Sequence, residues 1–131
     1  MNKPVILCVD DEPTILDSLK IQLKKEFQDN YLYEAAENAN EALEIIEELQ
    51  DNEISVLVII SDWLMPGMKG DDFLIKVHKC FPNIVKIMLT GQVNKSSINK
   101  AEQYADLYCC LHKPWNNQEL IETIKSGIKK G

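Results

Sequence analysis

Three aspartates, a threonine and a lysine stand where this sequence could do chemistry, because each ends or follows a short apolar run. Asp10 and Asp11 follow VILCV, Asp62 follows VLVIIS, Thr90 closes VKIMLT, and Lys113 follows a run ending in Leu111-His112. Three carboxylates converging on one rim would repel and shift one another's proton affinity unless a cation neutralised them. Hard oxygen donors without a dense His and Cys set point to Mg²⁺, which binds through one or two carboxylates, water and phosphate oxygens. Asp62 stands alone before a loop, and a carboxylate placed there can attack phosphorus to form an acyl phosphate. Lys113 offers a point charge for the phosphoryl oxygens, and the Thr90 hydroxyl offers a hydrogen bond. The Pro66-Gly67 turn would keep the backbone close to the metal.

Each residue also has a plainer reading. Asp10-Asp11 could be a strand-to-helix transition with one Asp capping the helix. Thr90 before Gly91 could be a strand end in a turn, and Lys113 before Pro114 a solvated lysine. Conjunction opposes these readings, since four strand ends out of five carry a suitable group on one rim.

The elements that must position these groups alternate between β-rich runs and amphipathic stretches. Val5–Val9 is continuously apolar, as in a strand covered on both faces. Pro13 lies near a helix start, and Ile15, Leu16, Leu19 and Leu23 follow at helical spacing. Further strands are predicted over 31–36, 56–61, 85–90 and 107–111. Further helices are predicted over 41–50, 71–81, 95–104 and 117–129, the last capped by Asn116 or Asn117. Five β-α units in series predict a doubly wound α/β fold, a parallel sheet with right-handed crossovers and helices on both faces. The site in such a sheet forms at the carboxyl ends of the strands, where the strand order reverses.

The 131 residues read as one domain, 1–131, with a single core. A net charge of −7 argues against nucleic-acid binding by this domain, which needs clustered Lys and Arg. No apolar run is long enough to span a bilayer and no secretory leader is evident, so no membrane association and a cytoplasmic location are expected. The four cysteines lack C-x-x-C spacing or a disulfide framework. Cys8, Cys109 and Cys110 fall in apolar runs, where a free thiol packs as a small hydrophobe. A zinc site would have to draw on His78, Cys80 or His112 and is the weaker reading.

The strings ILCVDDEP, ISDWLMPGMKG, IMLTG and KPW, in this order and at nearly the usual spacing, resemble receiver domains of two-component response regulators. The resemblance covers the whole chain. It implies a flavodoxin-like (βα)5 fold with strand order 2-1-3-4-5. It also implies Asp62 as phosphoacceptor, Asp11 as a direct metal ligand and Asp10 as an acid acting through a metal-bound water. Leu64 would give its backbone carbonyl to the Mg²⁺, Thr90 would be the switch hydroxyl, and Lys113 the family's lysine. The phosphoryl group would come from a sensor histidine kinase, a phosphotransfer protein or a small donor such as acetyl phosphate. The domain would catalyse only its own phosphorylation and dephosphorylation, as a switch and not a turnover enzyme. Its output partner would meet the surface of the fourth helix, fifth strand and fifth helix, with a homodimer as a further option. The KPW and SDW–PGM patterns also resemble receivers joined to cyclic-di-GMP phosphodiesterase or kinase modules, which would make the chain the N-terminal part of a larger regulator.

Three departures from the family pattern stand out. The stretch from Asp11 to Asp62 is longer than usual, with the excess placed around 50–55. Leu64 is apolar where a polar side chain often affects loss of the phosphoryl group, and Gln92 bears on the same lifetime. Cys110, three before Lys113, replaces the usual aromatic. Alternation along the fifth strand places Tyr108 and Cys110 on one face, with Tyr108 or Tyr104 supplying any aromatic rearrangement. The plainer reading packs Tyr108 under the fourth helix.

Two rivals come from other classes. A haloacid-dehalogenase-like phosphatase also uses Asp, Mg²⁺, Thr or Ser, and Lys, but its nucleophile ends the first strand and its acid pair comes late. A receiver-like interaction module that never takes phosphate would be expected to lack some site residues, and all are present.

Overall fold

Strands and helices alternate along the chain in a computed structural model that describes residues 3–92 and 94–130. Met1, Asn2, Val93 and Gly131, which the single-domain reading of 1–131 includes, lie outside the described residues. The order is β1 (Val5–Val9), α1 (Pro13–Phe27), β2 (Leu32–Ala36), α2 (Ala39–Asp51), β3 (Val56–Ser61), α3 (Gly70–Cys80), β4 (Val85–Thr90), α4 (Lys95–Ala105), β5 (Cys109–His112) and α5 (Asn117–Lys130). The strands form one parallel sheet in the order β2-β1-β3-β4-β5. The chain moves outward from β1 to β2, then returns past β1 to β3, so the strand order reverses beside β1 and β3.

Local sequence explains the element boundaries. Pro13 opens α1 at a position where its missing N–H costs nothing. Asn38 Oδ1 accepts the Glu41 N–H at 2.8 Å, so α2 starts two residues before the first expected apolar turn. Asn116 Oδ1 caps α5 in the same way, accepting the Glu119 N–H at 3.0 Å.

Two apolar layers cover the sheet. One joins Val5, Leu7, Val9, Ile59 and Met88 to α2, α3 and α4. The other joins Ile6, Cys8, Ile60, Ile87 and Leu89 to α1 and α5. Cys8 is fully buried there, and desolvation pushes its thiol up to about 12. No described helix is long and apolar enough to cross a membrane.

The fifth strand corrects one expectation. Cys110 packs in the α2–α3–α4 layer, but Tyr108 packs with Cys109 in the α1–α5 layer. Its ring lies so close to α5 that a Cβ on Gly127 would come within 3.3 Å of it, and its hydroxyl is hydrogen-bonded to Ser126. Tyr108 therefore neither shares a face with Cys110 nor lies under α4. The chain leaves α4 through Asp106, left-handed at φ 52°, and the β4 pairing begins only at Cys109. Tyr108 lies before regular alternation starts.

Candidate functional site

Register, more than any single residue, assembles the rim. Val9 pairs with Ser61, and the Asp62 N–H donates to the Val9 carbonyl at 2.9 Å, which sets Asp10 beside Asp62. On the other side Thr90 pairs with His112, and the Lys113 N–H donates to the Thr90 carbonyl at 2.9 Å. The β1–β3 register depends on a bulge. Val5 faces Val56 but Ile6 faces Val58, and the consecutive residues Leu57 and Val58 both pack on the α1–α5 side.

The carboxylates of Asp10, Asp11 and Asp62 present oxygens that all lie within 4.8 Å of one another. The Lys113 ammonium sits among them, 2.6 Å from Asp10 Oδ2 and 3.3 Å from Asp62 Oδ2. Burial raises the Asp62 carboxyl above its ordinary value, and the Asp10 charge adds to this. The Lys113 charge and the hydrogen bonds from Lys113 and Trp63 only partly offset the rise. For Lys113, desolvation alone would lower the ammonium, but its bond to Asp10 and the two carboxylate charges outweigh it and leave it raised. Asp10 also accepts the Glu12 N–H through Oδ1 at 2.9 Å, which fixes its orientation at the entrance to α1.

These groups border a cleft of about 460 Å³ lined by Asp11, Asp62, Leu64, Thr90, Gln92 and Lys113. Asp62 Oδ1 accepts the Trp63 N–H at 2.8 Å, so its two oxygens have different partners. Thr90, 2% exposed, turns its hydroxyl into its own loop, where it accepts the Gln92 N–H and donates to the Gln92 carbonyl, both at 3.2 Å. Leu64 is 44% exposed over the cleft.

The residues singled out for phosphoryl and Mg²⁺ chemistry, Asp10, Asp11, Asp62, Leu64, Thr90 and Lys113, therefore lie together on this rim. The alternative zinc residues do not join them, since the acid trio is the metal-capable cluster found among the described residues. Three oxygen donors of one charge suit a hard divalent cation such as Mg²⁺ and not a soft one.

Sequence reasoning passed over Gly70. A Cβ there would lie 2.2 Å from the Asp62 carbonyl oxygen and 2.8 Å from the Trp63 Cα, and the Gly70 N–H donates to the Trp63 carbonyl at 2.7 Å. The loop after Asp62 closes on itself only because Gly70 has no side chain. A glycine opening an otherwise amphipathic helix was the available signal.

A family model described as the response regulator receiver domain matches residues 6–125. The hydrogenase transcriptional regulatory protein HoxA of Cupriavidus necator is 32% identical over 124 residues, which cover 95% of this chain and 24% of that protein. The chain thus spans about a quarter of the length of that relative. The signal receiver domain of an HD domain-containing protein from Pseudomonas fluorescens superposes with a TM-score of 0.87 at 29% identity, over 98% of this chain and 97% of that one. A CheY-like receiver domain protein from Methanospirillum hungatei superposes with a TM-score of 0.85 at 32% identity, over 98% and 96% of the two chains. With fold, rim and sequence match in agreement, the chain belongs to the response regulator receiver domain family, the phosphoryl-accepting domains of two-component signalling.

Proposed function

We propose that Asp62 is the phosphoacceptor and that Asp10, Asp11 and Lys113 make its modification feasible. The observation that carries this is the Lys113 ammonium between Asp10 and Asp62, with Asp11 completing the carboxylate trio. A carboxylate oxygen of Asp62 attacks the phosphorus of a phosphohistidine, the P–N bond breaks, and the imidazole leaves with its electron pair. Lys113 stays beside the developing charge on the phosphoryl oxygens. Hydrolysis reverses the modification when water attacks phosphorus and inorganic phosphate leaves, restoring the carboxylate. Both steps are the domain's own catalysis on itself.

Asp11, Asp62 and the Leu64 carbonyl would hold Mg²⁺, with Asp10 acting through water. When bound, the ion neutralises the clustered carboxylates and the phosphoryl oxygens. Thr90 acts as the switch hydroxyl, exchanging its bonds to Gln92 for a phosphoryl oxygen. The partners are a sensor histidine kinase or phosphotransfer protein on the donor side, and an output domain or protein at the α4–β5–α5 face. Residues 1–131 act as one cytoplasmic receiver unit, either on its own or as the N-terminal part of a larger regulator. Incubation with acetyl phosphate and Mg²⁺ should add one hydroxylamine-labile phosphoryl group, detected by mass, and Asp62→Asn should take up none. Labelling of Asp62→Asn at the parent level would remove Asp62 from the role, and failure of the parent to label would favour the non-phosphorylated interaction module.

A further inference from the structure

Beside the acceptor loop, the first turn of α3 carries groups that the phosphoryl chemistry does not use. Asp71 is 4% exposed, and its Oδ1 has no hydrogen-bond partner among the described residues. Its Oδ2 lies 3.8 Å from the Nζ of Lys100 on α4, which also lies 2.7 Å from Asp72 Oδ1. A carboxylate this deeply buried is costly without a nearby positive charge, and among the described residues Lys100 is the cation in salt-bridge reach of it.

We propose that Lys100 is a positioning residue that ties α4 to the acceptor loop through Asp71 and Asp72, giving Asp62 a route to α4 that bypasses Thr90. The inference rests on Asp62 being the acceptor. The route begins at Gly70, which packs so close to the Asp62 main chain that a Cβ on it would lie 2.2 Å from the Asp62 carbonyl oxygen, and whose N–H donates to the Trp63 carbonyl at 2.7 Å. Close-packed contacts pass a displacement on, because they have no free volume in which to absorb it. A shift of the main chain at Asp62 therefore moves the first turn of α3 and Asp71 with it. Lys100 follows its carboxylates, and α4 follows Lys100 because the adjacent Ala101 is fully buried in the same layer as Phe73 and Met88.

A second route matters in this chain because the familiar space beneath α4 is filled differently. Cys110 is too small to swing into space left by Thr90, and Tyr108 is wedged against Gly127 on the opposite face of the sheet. Coupling between the rim and α4 needs contacts that differ between two states. The Asp71–Asp72–Lys100 bridge supplies such contacts.

The test is amide chemical-shift mapping of the full chain in Mg²⁺, with and without beryllofluoride, a mimic of the phosphoryl group. In Thr90→Ala, residues 95–105 should still shift. In Thr90→Ala/Lys100→Met that response should be lost, and in Thr90→Ala/Lys100→Arg it should return. Residues 62–66 should respond in every variant, and residues 13–27 should report an intact fold. If Lys100→Met unfolds the domain by stranding Asp71, Thr90→Ala/Asp71→Asn/Lys100→Met leaves no unpaired buried carboxylate at this bridge and should show the same loss. Silence at 95–105 in Thr90→Ala alone, with 62–66 responding, overturns the second route. Persistence of the α4 response without Lys100 overturns it equally. Silence at 62–66 in the parent is a distinct result that removes the acceptor reading and this inference together.

Discussion

The sheet face covered by α1 and α5 is closed by apolar side chains, while the face under α3 and α4 also buries charge. Lys86 and Thr90 alternate with Ile87 and Leu89 along β4 and so share the face of Met88, and Asp71 joins them from α3. Trp63 Nε1, Asp71 Oδ1 and His78 Nδ1 are buried there without hydrogen-bond partners among the described residues. On the α1–α5 side the polar contacts lie at the edge, such as Trp115 Nε1 donating to Gln22 Oε1 at 2.7 Å. An apolar layer packed to completion has one good arrangement. A layer with unpaired polar atoms can gain by a different arrangement that pairs them. On this ground α1–α5 is expected to be the more rigid side of the molecule and α3–α4 the more adaptable one.

The largest effect should come from cutting into the rigid side. Leu120→Ala, at a fully buried α5 position, should cost about 2–5 kcal/mol in urea unfolding. Lys86→Met, equally buried under α4, should cost far less. Among the described residues its ammonium is held by the Ile84 carbonyl at 2.6 Å and by the charge of exposed Asp106. If Lys86→Met cost as much as Leu120→Ala, the contrast between the faces would collapse.

Alkaline titration sharpens the same contrast, because buried groups on the two faces have opposite signs. The Cys8 thiol, pushed up to about 12, keeps its proton in the folded state while the unfolded chain loses it above about 9. The folded state then binds more protons, so stability should fall from pH 9 towards 12 by about 1.4 kcal/mol per pH unit. Cys8→Ala should lose this slope. Burial lowers the Lys86 ammonium below its ordinary 10.5, so just below that pH the unfolded chain binds more protons and stability should rise. Lys86→Met should therefore steepen the net alkaline decline. No change of slope in Cys8→Ala would mean that its thiol ionises within the fold.

A smaller effect is expected at the rim itself. Asp62 is raised chiefly by burial, so the stability linked to its proton is fully present below 3.8 and is lost as pH rises through its folded value. In metal-free buffer at neutral pH, Asp62→Asn should raise Tm, and added Mg²⁺ should stabilise the parent more than the variant. A lower Tm for the variant would indicate that Lys113 outweighs burial. The smallest effect belongs to the exposed pair between α5 and α1, Lys125 and Glu26 at 3.1 Å. Lys125→Ala should change stability by about 0.5 kcal/mol or less, and addition of salt should erase the difference.

Much of this was legible in the residues. Short apolar runs rich in β-branched residues, such as VILCV and VLVIIS, read as strands covered on both faces, and β1 and β3 match the expected spans residue for residue. The acids and the lysine were found because a strand end in a parallel sheet has a defined place in space. The expectation for Tyr108 failed because alternation is a property of a paired strand, and nothing in ADLYCC says that pairing begins at Cys109.

By itself the sequence determined which elements form, that their strands run parallel and the chemical types on the rim, since each follows from periodicity and from the end of an apolar run. Tertiary structure alone decided the rest. The bulge at Leu57 that brings Ser61 level with Val9, the close approach of Gly70 to Asp62, and the meeting of Asp71 with Lys100 all depend on contacts between segments far apart in the chain or folded back on themselves. Such contacts are set by packing in three dimensions, where a displacement of an ångström decides whether a Cβ fits or a charge finds its partner.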